Sequence, residues 1–144
     1  MNVKSWLNRA KNIDRKISSL IKEKDEEKAR VMKITQTYTA DVVQGTRDPH
    51  RYDRLVEYEQ EIDAWIDELL KTKAEIVREV RRLKDGRYQE ILLLRYIEGL
   101  TFEEISVRIK YSYVQTCRLH GRALIKMEEV LNELNADREQ NKKQ

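Results

Sequence analysis

The chain is poor in residues that break or staple a backbone. Its 144 residues include one cysteine, one proline, four glycines and one phenylalanine, and only 7% of positions are aromatic. A lone thiol, Cys117, excludes an internal disulfide and a cysteine-ligated metal cluster, and fits a reducing cytoplasm. So few glycines and prolines exclude the many turns of a β-sandwich or barrel. No apolar run approaches the roughly 18 residues that cross a bilayer. The opening MNVKSWLNRAKNIDRK has no apolar stretch of signal-peptide length. A Gly-rich phosphate loop, a nucleophile motif and metal-ligand spacing are all missing, so no enzyme, cofactor, metal or membrane role is expected. Glu59, Asp63 and Asp67 recur four apart, but neither His50 nor His120 shares their face, and they read as a solvated acidic stripe.

What the chain does have is charge. Asp, Glu, Lys and Arg make up 38% of it, with 29 basic residues against 26 acidic and a net charge of +3. An average globular protein carries about 25%. The small net value does not by itself imply a polyanionic partner, but the distribution is uneven. No carboxylate occurs in residues 105–127, and Arg108, Lys110, Arg118, Arg122 and Lys126 all fall inside that window. An anionic partner would feel this local excess.

The dominant pattern is helical, and the fold class expected is all-α. Val3, Trp6, Ala10, Ile13, Ile17, Leu20, Lys24, Glu27, Val31, Ile34, Tyr38 and Val42 follow the three–four spacing of a heptad seam. The segment QGTRDPHR at 44–51 holds the only proline and the densest turn signals. A second seam follows: Leu55, Tyr58, Ile62, Trp65, Leu69, Thr72, Ile76, Val80 and Leu83. Two such helices predict a long antiparallel, coiled-coil-like hairpin over residues 1–86, with arms of roughly 50 Å. Closing it at about residue 46 sets Lys24 and Glu27 opposite 66–69, and Ile17 and Leu20 opposite 72–76. Gly86 is expected to end the second arm in left-handed geometry. Ile66, Leu70 and Val77 stay uncovered, which predicts a homodimer through the N-terminal helices or docking of later helices. A parallel intermolecular coiled coil fits the same seam.

Residues 87–131 divide into three shorter helices, over about 87–98, 102–109 and 113–131, and the polar residues 132–144 read as a flexible tail. Two helix-start signals lie eleven residues apart: Thr101 with Glu104, and Ser112 with Gln115. Each is a capping box, in which a hydroxyl and a side chain three residues on satisfy helix-end N–H groups. The spacing leaves room for two turns of helix, a sharp bend and a new helix. Ile105 and Ile109 on the first, facing Thr116, Leu119 and Ala123 on the second, are the packing positions of a helix-turn-helix. The second helix would present Tyr113, Val114, Gln115, Cys117, Arg118 and Arg122 outward. Gln can bridge the edge of adenine and Arg that of guanine, while Val and Tyr suit a thymine methyl. The base-reading candidates are therefore Tyr113, Val114, Gln115 and Arg118. The phosphate-contacting candidates from the basic window are Arg108, Lys110, Arg122 and Lys126.

The stretch RYIEGLTFEEISVRIKYSYVQTCRLHGRALIKM resembles region 4 of sigma-70 family factors, with its G-L-T-x-E-E-I core and R-A-L ending. The whole chain is similar to phage and prophage transcriptional regulators of the ArpU and RinA type, in which a long helical part precedes a sigma-like module. The resemblance implies promoter-DNA reading at Tyr113, Val114, Gln115 and Arg118, with phosphates held near Thr101 and Arg122. Lys110 stands where the family has glycine in the turn, and Tyr113 and Val114 replace Arg and Glu. No sigma region 2 is present, so strand opening is not implied. The expectation is a sequence-specific, double-stranded DNA-binding regulator of phage or prophage genes in the bacterial cytoplasm, with host RNA polymerase as a further partner. A small terminase-like packaging subunit, or a polymerase-binding adaptor that never touches DNA, are the other readings.

Overall fold

The computed structural model describes residues 2–40 and 49–143, and the side chains of residues 34–40 lie outside the description. Every regular element among the described residues is a helix. They are α1 (Val3–Leu7), α2 (Arg9–Ala40), α3 (Asp53–Val80), α4 (Gly86–Tyr96), α5 (Phe102–Ile109) and α6 (Tyr113–Lys142). Residues 49–52 form a turn ahead of α3; the rest of the expected 44–51 turn, with Ile34, Tyr38 and Val42, lies outside the described side chains.

The first seam holds, with one interruption. Asn2 caps α1 by accepting the Lys4 N–H at 3.0 Å. Asn8 then breaks the helix, and the Arg9 Nε donates to the freed Trp6 carbonyl at 3.0 Å. A side chain thus adds to the Asn8 backbone N–H in satisfying a carbonyl at the helix end.

The chain separates into two compact units. One is Ile13–Leu69, and the other combines Met1–Asn12 with Leu70–Gln144. Within the first, α2 and α3 pack antiparallel around Ile17, Leu20 and Ile62, with Ile13, Tyr58, Trp65 and Leu69 against them. The register differs from the expected one. Lys24 reaches Glu59 at 3.1 Å and the Lys16 ammonium sits 4.3 Å from the centre of the Trp65 ring. Lys24 is therefore roughly two to three turns away from the 66–69 position that symmetric closure assigned it. Heptad spacing repeats along the helix and is indifferent to such slips; the Trp65 ring and the Lys24–Glu59 pair fix the choice. Glu27, buried in the seam, turns back to the Arg30 guanidinium, whose hydrogen bond holds its carboxyl below the usual range.

The second unit has the larger core. Leu7, Ile76, Val80, Ile91, Leu92, Ile105, Ala123 and Met127 are completely enclosed there. The boundary expected at residue 86 runs through this unit rather than along its edge, because α1 and the end of α3 supply Leu7, Ile76 and Val80. Gly86 is not a left-handed cap. It opens α4, with Asp85 as N-cap, and among the described residues the glycine at positive φ is Gly99 (φ 74°), which closes the same helix. The last helix also runs beyond the expected end near residue 131, to Lys142. Leu131 is buried and Leu134 half-buried, and no Gly or Pro follows to stop the helix.

Candidate nucleic-acid interface

Helix α5 starts where the Thr101 hydroxyl accepts the Glu104 N–H at 3.2 Å. It ends eight residues later because Lys110 adopts φ 62°, ψ 39°, and the Lys110 and Tyr111 N–H groups both turn back to the Ser106 carbonyl. For a non-glycine residue this left-handed geometry costs about 1 kcal/mol. Ser112 then opens α6 with a complete capping box. Its hydroxyl accepts the Gln115 N–H at 3.2 Å, and the Gln115 Oε1 accepts the Ser112 N–H at 3.2 Å.

The back of α6 is sealed. Thr116, Leu119 and Ala123 of α6 and Ile105 of α5 are all buried, while Ile109 is half-buried. Behind them His120 is enclosed, its Nε2 2.9 Å from the Tyr96 hydroxyl, its ring stacked on Tyr96 and edge-on to Phe102 at 4.9 Å. Burial, aided by Lys4 and Arg95, pushes its pKa down to about 4. His120 is thus a neutral packing residue. Arg95 braces the same corner, its guanidinium 4.5 Å over the Phe102 ring and donating to the Leu100 carbonyl at 3.0 Å.

The front of α6 is open. Tyr113 is 50% and Val114 56% exposed, and Gln115, Arg118, Arg122 and Lys126 are exposed with them. Thr101, Arg108 and Lys110 also reach solvent. Not every candidate is equally available. Arg108 pairs with Glu98 at 3.2 Å and Lys126 with Glu129 at 3.5 Å, whereas Lys110, Arg118 and Arg122 make no ion pair among the described residues. The Gln115 amide oxygen already accepts the Ser112 N–H, so reading an adenine would use that oxygen's second lone pair together with the free amide N–H groups. Cys117 is half-buried beside Tyr113, and their hydrogen bond raises the Tyr113 pKa.

Gln115, Arg118 and Arg122 share an open groove of about 370 Å³ with Leu119 and two residues absent from the sequence-derived site, Arg87 and Tyr111. Arg87 comes from the first turn of α4 and Tyr111 from the bend before α6. Nothing in their local spacing marks them, although the aromatic run YSY beside the second cap was visible. Three guanidiniums, a phenol and an amide around one opening suit an anionic ligand with planar groups. Lys126 lies apart, on a neighbouring cleft with Arg82, Lys84, Asp85, Tyr88, Glu129 and Glu133.

Among protein-family models, one described as "protein of unknown function (DUF1492)" matches residues 35–128. The chain belongs to the DUF1492 family. The match runs through all of α3, α4 and α5 and into α6 as far as Glu128, so it includes every candidate contact named above. No curated protein and no solved structure matches the chain. No helix among the described residues of this DUF1492 protein is long and apolar enough to cross a membrane.

Proposed function

We propose that this DUF1492 protein is a sequence-specific, double-stranded DNA-binding regulator of phage or prophage genes, working in the bacterial cytoplasm. One observation carries the reading: the open face of α6 combines exposed Tyr113, Val114, Arg118 and Arg122 with no carboxylate from residue 105 to 127. A helix that enters the major groove needs a rigid back, a free front and no charge that repels phosphate. Here α5 and its left-handed turn brace the back, and Arg87 and Tyr111 widen the cationic front. The sigma region 4-like pattern supports the same assignment and adds host RNA polymerase as a partner.

Arg118 is the strongest base-reading candidate, since the residue is exposed and makes no ion pair among the described residues. Gln115 is assigned chiefly to holding α6. A dimer through the N-terminal helices belongs to the same proposal. Ile21, Met32, Tyr52, Val56 and Ile66 are exposed in the hairpin unit and fall on one flank of the heptad wheel, which leaves a face for a second copy.

The test is selection of bound fragments from a phage genome, followed by titration of the selected site. Arg118→Ala is expected to weaken that site by about 1–3 kcal/mol and relax one base position. Lys126→Ala should weaken selected and random DNA equally. Equal losses on both DNAs for both variants would remove the base-reading assignment. Enrichment beside packaging genes by a ring of eight or more chains would favour a packaging subunit, and capture of core polymerase without any DNA an adaptor.

A further inference from the structure

The three arginines of the groove are not equivalent. Arg118 and Arg122 make no ion pair among the described residues, but Arg87 is held by Asp85 through three hydrogen bonds. The Arg87 backbone N–H donates to Oδ1 at 2.9 Å, its Nη2 to Oδ2 at 3.0 Å, and its Nε to Oδ1 at 3.3 Å. The same carboxylate caps α4, so its position is already fixed by the helix start. Pairing therefore orders one flexible side chain instead of two. The Arg87 bonds also hold the Asp85 carboxyl below its usual range, which keeps it ionised. Asp85 itself stays out of the groove and faces the neighbouring cleft.

We propose that Asp85 sets the anion affinity of the groove. By neutralising Arg87 it makes a three-arginine opening act as a two-charge site toward a phosphodiester backbone. The inference rests on the nucleic-acid reading of α6 and names a residue that restrains it. Each unneutralised cation that meets a phosphate strengthens binding to all sequences alike. A carboxylate on Arg87 thus lowers attachment to arbitrary duplex without touching the base-reading side chains.

Asp85→Asn keeps a capping oxygen and removes the charge. On a random duplex across a salt series, D85N is expected to bind about 3- to 10-fold tighter than wild type, with a slope steeper by about 0.9. Arg87→Gln leaves Asp85 unopposed and should bind more weakly than wild type. The double variant D85N/R87Q should return to about the wild-type slope, within roughly twofold in affinity. Melting temperatures are followed in parallel, and Asp85→Ser, a second uncharged cap, carries the test if D85N melts early. If the uncharged cap gains nothing and the double variant stays as weak as R87Q, Asp85 only braces α4 and the proposal falls. Wild type that binds no duplex at any salt removes the nucleic-acid reading as well. Wild type that binds while D85N is unchanged removes this inference alone.

Discussion

The two compact units bury apolar side chains in different ways. In the hairpin unit, two helices share one seam, and Ile13, Tyr58, Trp65 and Leu69 around its centre remain only partly covered. In the other unit, α4, α5 and α6 close around each other with α1 and the end of α3, and Ile91, Leu92, Ile105 and Met127 are fully enclosed. A seam between two helices has no third layer, so most of its side chains keep a wet edge, with Val31 a fully buried exception. All the candidate contacts sit on the enclosed unit, where α6 is braced from behind by neighbouring helices.

One substitution made in both places gives the largest expected contrast. Leu92→Ala should lose about 4 kcal/mol, near the top of the range for a closed core. Leu20→Ala, with a seam that can collapse around it, should lose about 2 kcal/mol. Urea unfolding followed by circular dichroism measures both. Equal losses would mean that the hairpin seam is as tightly closed as the larger core.

His120 extends the contrast to pH, since no buried imidazole occurs in the described part of the hairpin unit. Its folded pKa of about 4 lies below the unfolded value of 6.5. Below 6.5 the unfolded chain takes a proton that the folded chain refuses until about pH 4. Stability should therefore fall as pH drops through that window, by up to about 3 kcal/mol in total. In His120→Phe the slope between pH 6.5 and 5 should flatten. An unchanged slope would place the proton uptake elsewhere.

How much of this was legible in the sequence differs by element. The bounds of α5 and the start of α6 were readable because the caps are local: Thr101 and Ser112 each act within three residues. The buried stripes were readable for the same reason, down to Thr72 and Thr116. Register was not, because a heptad seam can slide by whole turns, and what marks the register adopted are contacts distant in sequence such as Lys24–Glu59 and Lys16–Trp65. The helical end of α6 was hidden by polar residues that carry no stripe yet contain no breaker. Arg87 and Tyr111 escaped because the groove exists only once α4 packs on α6, more than twenty residues away in sequence. Gln115 sits both in the cap and on the outward face, so its amide oxygen is contested between the Ser112 N–H and a base.

That conflict gives a smaller effect with a clear sign. Gln115→Glu keeps an oxygen for the Ser112 N–H, and so keeps the capping box. Gln115→Ala removes it and should destabilise the unit by about 1 kcal/mol. If the residue serves mainly as a cap, Gln115→Ala lowers the melting temperature while its fully folded fraction still prefers the selected DNA site. A Gln115→Ala variant of unchanged stability that loses preference at one adenine would restore the base-reading role.

The smallest expected effect separates geometry from charge at one position. Gly99 and Lys110 both end a helix at positive φ in the same unit, at 74° and 62°. Glycine adopts this conformation freely, whereas lysine strains its Cβ against the following carbonyl. Lys110→Gly should therefore raise stability by somewhat under 1 kcal/mol. A residue that costs stability and yet ends in an exposed ammonium beside α6 has a role only if the charge is used. In that case the same variant should bind all DNA more weakly, with a salt slope shallower by about 0.9. The two readouts move in opposite directions, which no purely structural role of Lys110 would produce. A variant that is more stable and binds as before would show that the lysine is merely tolerated, and would leave Arg118 and Arg122 as the cations on which the interface depends.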